Sequence, residues 1–223
     1  MIYLVICLVS YILGSVPFGR MFAGKKIEKE GSKNVGAMNA ARVTGKPFML
    51  VVVAALDAGK AFLALLFTYF FRSLGYNITI ALLVASIFVV AGHKNPIFLK
   101  FQDKGRGLSS LLGIVFFLSW FVFLKTGNYL IWISPFVCIA IMIIAIFSER
   151  LFMPRKKTEV RYGKVIDELG SPIIGRLIGM VACLIALIFL LPSEYFAVVL
   201  TASLISFIAH IPRAQEYVNT SSS

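Results

Sequence analysis

Two polar loops combine glycines with amide, hydroxyl and cationic side chains, a composition suited to binding an anion. The first loop contains Gly31-Ser32-Lys33-Asn34-Val35-Gly36-Ala37-Met38-Asn39-Ala40-Ala41-Arg42. Its glycines let backbone N–H groups converge on one anion. Ser32, Asn34 and Asn39 offer neutral hydrogen bonds. Arg42 adds a planar guanidinium suited to phosphate. An ordinary polar loop with Asn and Gly in turns has the same composition, so this loop alone leaves both interpretations open.

The third loop carries a second glycine-rich stretch, Lys104-Gly105-Arg106-Gly107, directly before an apolar segment. Two cations between glycines at a helix N-terminus offer charge, a favourable helix dipole and exposed amides to an anion. The stretch is not a Walker loop, because the required glycine spacing and the Lys-Ser/Thr pair are missing. A basic loop that only sets membrane topology is the alternative. The glycines between the cations favour phosphate binding.

Three ionisable residues lie within or at the end of apolar segments. Asp57 and Lys60 fall inside the second segment, where charges are costly and usually paired or functional. Their i,i+3 spacing places them on one helix face, so an ion pair that fixes the loops above it is the favoured prediction. His210 ends the last segment. It is a candidate base or phosphate ligand, although a histidine at a helix end is often only an interfacial residue.

Common catalytic and metal-binding patterns are missing from the sequence. There is no Gly-x-Ser-x-Gly elbow, no His-Glu-x-x-His pair and no His-x4-Asp box. Cys7, Cys138 and Cys183 lie in apolar runs without metal-ligand spacing, and their odd number gives no disulfide framework. We therefore predict neither a metal nor another cofactor.

The composition is that of an integral membrane protein. The 223 residues are 59% hydrophobic and only 14% charged, and the mean hydropathy is +0.90. A soluble domain averages roughly 45–50% apolar and about 25% charged residues. The apolar runs are too long and too unalternating for barrel strands. They predict an all-α transmembrane bundle formed by residues 1–223 as a single domain. Its seven predicted spans are 2–20, 48–71, 75–92, 108–124, 129–147, 175–192 and 195–211.

The charge distribution predicts the orientation of the bundle. Nearly all of the 22 Lys and Arg residues lie in the first, third and fifth loops and the C-terminal tail. The opposite side carries only Arg72 and Lys125. Positive-inside topology then places the basic loops and the C-terminus in the cytoplasm and the N-terminus outside.

The first apolar run is followed, not preceded, by basic residues, so we expect a membrane anchor rather than a signal peptide. The net charge of +12 is attributed to topology and anionic lipid, not to nucleic acid. The fifth loop is most simply a solvated charge run.

These segments together resemble the acyl-phosphate:glycerol-3-phosphate acyltransferase family of bacterial membranes, known as PlsY. Gly14-Ser15-Val16-Pro17-Phe18-Gly19 is similar to the family's opening Gly-Ser-x-Pro-Phe-Gly. Residues 31–42 resemble its Gly-Ser-Gly-Asn-x-Gly-Ala-Thr-Asn-x-x-Arg, and Leu56-Asp57 with Lys60 resembles its Leu-Asp-x-x-Lys-Gly. Gly92-His93-x-x-Pro96 leads into a stretch at 104–107 that is similar to its Gly-Gly-Lys-Gly.

The resemblance implies transfer of a fatty acyl group from acyl phosphate to the 1-hydroxyl of glycerol 3-phosphate. The products are 1-acylglycerol 3-phosphate and inorganic phosphate, for phospholipid synthesis at the cytoplasmic face of a bacterial inner membrane. Lys104, Arg106 and Arg42 would bind phosphate with Gly105 and Gly107. Ser32, Asn34 and Asn39 would orient the carbonyl and hydroxyl groups. His210 would contact substrate or act as base, unless a substrate phosphate accepts the proton. Asp57, Lys60 and His93 would support the site.

The chain departs from the family pattern at several positions. Lys33 and Met38 replace a glycine and a threonine, and Arg106 stands where lysine is usual. The closing His-x-x-Asn-x-x-Arg reads His210-x-x-Arg213-x-x-Glu216. These last two substitutions motivate a second hypothesis, a catalytically silent family member. A third is a small transporter or binding protein for a phosphorylated solute, which would also need charges within the membrane.

Overall fold

The computed structural model describes residues 1–102, 105–152, 159–161, 164–166 and 173–221. Its α-helices are, in chain order, α1 (Ile2–Ser15), α2 (Phe18–Ala23), α3 (Ala37–Thr44), α4 (Phe48–Phe70), α5 (Ile78–Lys94), α6 (Leu108–Thr126), α7 (Ser134–Phe152), α8 (Ile173–Leu190) and α9 (Ser193–Ser221). The 3-10 helices of this part of the chain are Lys25–Glu28, Phe71–Leu74, Ile97–Leu99 and Tyr129–Ile133.

Within the described residues, seven helical segments are long and apolar enough to cross a membrane. They are Ile2–Ala23, Phe48–Leu74, Ile78–Leu99, Leu108–Thr126, Tyr129–Glu149, Ile173–Leu190 and Ser193–Pro212. The predicted seven-span helical bundle is confirmed, and most boundaries shift by only a few residues. Two segments are longer than predicted because 3-10 helices follow them, Phe71–Leu74 after α4 and Ile97–Leu99 after α5.

The fifth loop contains a feature that its composition did not suggest. Strands β1 (Glu159–Arg161) and β2 (Lys164–Ile166) pair as a short antiparallel ladder between α7 and α8. Val160 pairs with Val165 at its centre. Such β-branched residues favour strands, and the ladder pairs backbone groups of an otherwise charged segment.

The first helix shows how the bundle meets lipid. Its buried positions include Ser10 and Gly14, whereas large apolar side chains cover the opposite face. These exposed residues are Leu4, Leu8 and Ile12. Both sets repeat every four residues, so they occupy two faces of one helix. The polar and small residues face protein and the large apolar residues face outward, the arrangement of a helix in hydrocarbon.

The core is built from pairs of packed helices. α1 packs along α5, α4 along α6, α5 against α9, and α7 against α8. Leu65, Leu82, Phe117 and Tyr195 are among the largest fully buried side chains. These pairs hold the ends of α5, α6, α8 and α9 as a rigid frame beneath the loops.

A second, smaller apolar cluster lies beneath the first loop. Val35, Ala40 and Val43 of the first loop pack there against Val53 of α4 and Leu99 of the third loop. Since Leu99 belongs to this cluster, the two glycine-rich loops are attached to each other through buried apolar contacts. Both therefore lie at the same end of the bundle.

Candidate active site

The third loop closes tightly onto the end of α5. The Gly105 N–H donates to the carbonyl oxygen of Lys94 at 3.2 Å. A Cβ at position 105 would collide with the carbonyl oxygen of His93. Gly107 has φ +79° and is the N-cap of α6, a conformation that glycine adopts without strain. Glycine is therefore required at both positions by this backbone path. Lys104, the predicted phosphate ligand beside them, lies outside the described residues.

The N-terminus of α6 points its amides toward this turn. A helix leaves the N–H groups of its first turn without helical acceptors, and its dipole makes this end positive. In α6 these groups belong to Leu108, Ser109 and Ser110, directly after Arg106 and Gly107. The predicted combination of guanidinium and helix N-terminus is thus present in one turn of chain.

The last helix joins this turn through two polar side chains. The Ser206 hydroxyl donates to the carbonyl oxygen of Arg106. The Nδ1 of His210 lies 2.8 Å from the carbonyl oxygen of Ser206, which only accepts, so Nδ1 carries the proton and Nε2 presents a lone pair. Among the described residues, Nε2 has no hydrogen-bond partner, and His210 is only 1% exposed. The structure therefore places a buried proton acceptor next to the third loop.

Arg176 joins the same region from α8. It lies in the first turn of that helix and is 6% exposed. Its charge and that of Arg106 both act on the His210 ring. The Glu149 carboxylate fixes the beginning of α8 by accepting the N–H groups of Ile173 and Gly175, the first at 3.1 Å. This anchoring fixes the first turn of α8, which carries Arg176.

Asp57 and Lys60 form the ion pair that their spacing predicts. The Nζ of Lys60 lies 2.8 Å from the Asp57 carboxylate, with both side chains less than 5% exposed. Lys60 also donates to the carbonyl oxygen of Val16 at 2.9 Å. The predicted ion pair is confirmed, and Lys60 connects α4 to the break between α1 and α2. That the pair fixes the loops above it stays a prediction.

The ion pair also reaches the third loop. Nδ1 of His93 lies 3.7 Å from the Asp57 carboxylate. The Ser110 hydroxyl donates to the carbonyl oxygen of Asp57 at 3.3 Å. His93 packs against the backbone of Gly105, and Ser110 lies in the first turn of α6. The ion pair and the predicted supporting histidine therefore contact both sides of the Gly105–Gly107 turn.

In the first loop, Asn39 holds the backbone in place. Its Nδ2 lies 2.9–3.1 Å from the carbonyl oxygens of Ile27, Glu30 and Asn34. Its Oδ1 accepts the N–H of Ser32 at 2.9 Å. With 1% exposure, the amide of Asn39 is enclosed by the loop that it organises.

The other predicted residues of this loop lie nearer its surface. Asn34 accepts the Gly36 N–H at 3.0 Å and so forms a local turn. Ser32 and Asn34 are partly buried, and Arg42 is a partly buried residue of α3. Lys33, where the resembling family has glycine, adopts φ +54° with an exposed side chain. The loop thus keeps a left-handed residue without the glycine that usually provides it.

No cluster of three His, Cys, Asp or Glu side chains in the described part of the chain is arranged to hold a metal ion. The groups near the third loop are instead the cation Arg106, the Ser206 hydroxyl and the His210 ring. They suit binding of phosphate and transfer of a proton.

The model of the family described as glycerol-3-phosphate acyltransferase matches residues 4–220. The chain belongs to this family. A glycerol-3-phosphate acyltransferase of Pelagibacter ubique is 38% identical over 141 residues, which cover 57% of this chain and 70% of that protein. Those of Gluconobacter oxydans and Pseudothermotoga lettingae are 39% and 34% identical, over 52% and 62% of this chain. The matched segments cover 56% and 69% of these two relatives.

The fold of this family member is also similar to a solved structure. The crystal structure of PlsY (YgiH), an integral membrane glycerol 3-phosphate acyltransferase in its glycerol 3-phosphate form, aligns with a TM-score of 0.67. The alignment covers 98% of this chain and 91% of that one at 23% sequence identity. The membrane architecture is therefore shared along almost the whole chain.

Two residues near the candidate site, Arg176 and Ser206, are not among those that the sequence predicts for it. The charge distribution assigns Arg176 to the cations of the fifth loop, although a charge in the first turn of an apolar span is a signal of function. Ser206 has no sequence signal of its own, and only the packing of α9 brings it to Arg106. Arg213 and Glu216, the two departures from the family's closing motif, have side chains outside the described residues.

Proposed function

We propose that this acyltransferase family member transfers a fatty acyl group from acyl phosphate to the 1-hydroxyl of glycerol 3-phosphate. The products are 1-acylglycerol 3-phosphate and inorganic phosphate, and the reaction serves phospholipid synthesis. Family membership supports glycerol 3-phosphate as the acyl acceptor. The observation that carries the proposal is the chain of contacts from Arg106 through Ser206 to His210, whose Nε2 has no partner among the described residues. It supports a proton acceptor beside the turn to which we assign phosphate.

Phosphate binding is assigned to the third loop and its neighbours. Lys104 and Arg106, with Gly105, Gly107 and the amides of α6, would hold one phosphate by charge-assisted hydrogen bonds. Arg42 of the first loop is assigned to phosphate as well. The buried Arg176 adds positive charge from α8. Two phosphates must be held together in this reaction, one on each substrate, which accounts for cations from several elements.

The chemical step needs alignment more than a nucleophile on the enzyme. Acyl phosphate is a mixed anhydride, so the glycerol hydroxyl can attack its carbonyl carbon directly. The new ester C–O bond forms as the C–O bond to phosphate breaks. His210 Nε2 accepts the hydroxyl proton and returns it to the medium or to the departing phosphate. Holding the two substrates in reacting geometry supplies most of the acceleration.

The oxyanion that develops on the carbonyl requires donors. Ser32 and Asn34 lie at the accessible side of the first loop and are assigned to this task. Asn39 is assigned a positioning role, because its amide already bonds the loop backbone. Asp57, Lys60 and His93 hold the third loop in the geometry that phosphate binding needs.

The site is assigned to the cytoplasmic face of a bacterial inner membrane. The loops that carry the phosphate ligands also carry most of the positive charge, which positive-inside topology places in the cytoplasm. The N-terminus would then lie outside. Glycerol 3-phosphate reaches such a site from water, while the acyl chain of the donor remains in the bilayer.

The decisive experiment supplies purified protein with glycerol 3-phosphate and one donor at a time. The donors are palmitoyl phosphate, palmitoyl-CoA and palmitoyl acyl carrier protein, each with and without a chelator. We expect 1-acylglycerol 3-phosphate only from acyl phosphate, with no effect of the chelator. Turnover with palmitoyl-CoA alone, or loss of activity with chelator, would contradict the mechanism. No turnover with any donor would favour the silent family member suggested by Arg213 and Glu216.

A further inference from the structure

A cavity of about 330 Å³ lies at the end of the bundle opposite to the glycine-rich loops. It is bounded by the last turn of α4 with the 3-10 helix Phe71–Leu74, by the beginning of α5 and by the last turn of α6. α4 and α6 begin at the glycine-rich loops and end here, so this cavity is separated from the proposed active site by the length of a membrane-spanning helix. The proposed acyl transfer uses none of its residues.

Two cations line this one cavity, and they are the two that the charge distribution assigns to this side of the membrane. The guanidinium carbon of Arg72 lies 4.0 Å from the centre of the Tyr69 ring, and Arg72 donates to the Tyr69 carbonyl oxygen at 3.2 Å. Lys125 donates to the Tyr195 hydroxyl at 2.8 Å and lies 4.8 Å from the Phe121 ring centre. Both cations are thus held in position by aromatic groups.

These contacts leave hydrogen-bond donors available on both cations. A guanidinium has five N–H donors and an ammonium has three, and the contacts above use one of each. The described residues that line the cavity include no carboxylate. Glu194, an exposed residue outside this lining, contacts Tyr195, the residue whose hydroxyl Lys125 also contacts.

The helix dipole explains only in part why Arg72 and Lys125 are found at this cavity. A positive charge in the last turn of α4 or α6 is favourable because the C-terminal end of a helix is negative. That effect does not require both cations to share a cavity, where they repel each other. An anion bound between them would remove the repulsion and use the remaining donors.

The walls of the cavity indicate which anion. The apolar lining residues are Ile78, Phe121 and Leu124, and Leu124, which belongs to a membrane-spanning segment, is 54% exposed. Tyr69 and Tyr76 also line the cavity, and tyrosines mark the headgroup level of a membrane. A cationic end beside an apolar, lipid-facing wall matches a lipid phosphate with attached acyl chains.

We propose that this cavity binds one anionic membrane phospholipid, with its phosphate between Arg72 and Lys125 and an acyl chain along Ile78 and Leu124. A zwitterionic lipid is disfavoured, because its own cation would meet two positive charges. Inorganic phosphate shares the charge but gains nothing from the apolar wall. The proposal is independent of the acyl-transfer activity.

Binding can be measured on the full-length protein after delipidation in detergent. Native mass spectrometry would count bound lipid while phosphatidylglycerol, phosphatidylcholine with the same chains, or inorganic phosphate is added. We expect one phosphatidylglycerol per chain, much weaker retention of phosphatidylcholine, and no displacement by millimolar inorganic phosphate. A cation near a membrane surface contributes enough attraction for about a fivefold change in affinity. The variant Arg72→Gln/Lys125→Gln should therefore bind about 25-fold more weakly.

The matched control removes two positive charges elsewhere. Lys25 and Lys26 are exposed at the other end of the bundle, so Lys25→Gln/Lys26→Gln should retain phosphatidylglycerol. If Arg72→Gln/Lys125→Gln does not fold, the two single variants should each show about a fivefold loss, and Arg72→Lys/Lys125→Arg should retain binding. Equal binding by wild type and the neutralised variants would overturn the proposal. So would equal retention of the two lipids, or displacement of phosphatidylglycerol by inorganic phosphate.

Discussion

The Nζ of Lys60 lies 2.8 Å from the Asp57 carboxylate and 2.9 Å from the carbonyl oxygen of Val16. One cation thus satisfies a buried carboxylate on its own helix and a backbone oxygen at the break after α1. Through His93 and Ser110, the same carboxylate residue reaches the third loop and the beginning of α6. The interior of the bundle and the geometry of the proposed site are therefore mechanically connected.

Removing one member of this pair should be more damaging than removing both. Asp57→Asn or Lys60→Met alone leaves an uncompensated buried charge and should reduce the free energy of unfolding by about 3–5 kcal/mol. The double variant Asp57→Asn/Lys60→Met leaves no unpaired charge, so it should lose less than either single variant and much less than the sum of their losses. Thermal unfolding in detergent would provide the comparison. Additive losses would show that the two side chains do not interact.

His210→Gln should lower kcat about 10²- to 10⁴-fold while KM for glycerol 3-phosphate changes little, because general-base catalysis contributes in that range. Ser206→Ala removes only the contact to the Arg106 carbonyl oxygen and should have a smaller effect. Steady-state kinetics with palmitoyl phosphate would measure both variants. A wild-type kcat for His210→Gln, at wild-type protein levels, would assign the proton to a substrate phosphate.

Arg106→Ala and Lys104→Ala should each raise KM for glycerol 3-phosphate. A hydrogen bond to a charged group contributes about 1.5–3 kcal/mol, or roughly 10- to 150-fold. Arg176→Gln should also raise KM for glycerol 3-phosphate. Lys100→Gln is the matched control, since Lys100 is an exposed cation of the same loop and its loss should leave KM unchanged. Equal KM values for all four variants and the wild type would show that the cations of the third loop only set the membrane topology.

Asn39→Asp is nearly isosteric but places a carboxylate oxygen opposite three carbonyl oxygens. The first loop should open, and activity should fall while the helical content remains that of the wild type. Limited trypsin digestion between Lys25 and Arg42, with circular dichroism for the helices, would detect this. Asn34→Asp is the control for protease resistance only, because the Asn34 side chain accepts the Gly36 N–H and an aspartate can do the same. Equal protease resistance of both variants would show that Asn39 does not position the first loop.

The membrane orientation can be tested by labelling single cysteines in intact cells. Cys7, Cys138 and Cys183 would first be replaced by alanine, and a cysteine then introduced at the exposed positions Lys29 or Thr126. A membrane-impermeant maleimide should label position 126 and leave position 29 unlabelled until the cells are opened. The reverse pattern would invert the proposed topology and move the active face outside.

Local sequence determined the membrane architecture, because a helix in hydrocarbon must satisfy its own backbone and present apolar side chains. The apolar runs therefore predicted seven spans, and the i,i+3 spacing of Asp57 and Lys60 predicted their ion pair. The sequence shows that Gly105 and Gly107 flank a cation, and the structure shows why each position requires glycine. One closes against the carbonyl of His93, and the other begins α6 in the left-handed region.

Tertiary structure alone decided which distant residues meet. Ser206 is separated from Arg106 by 100 residues, and no periodicity connects them, because their contact depends on how α9 packs against α5 and the third loop. Arg176 also depends on a contact between distant residues, because Glu149 on α7 fixes the first turn of α8 in which Arg176 lies. Asn39 likewise could be recognised as polar but not as enclosed. Whether an amide contacts substrate or backbone depends on the surrounding loop, and that loop is folded by an apolar cluster that includes Val43 and Leu99.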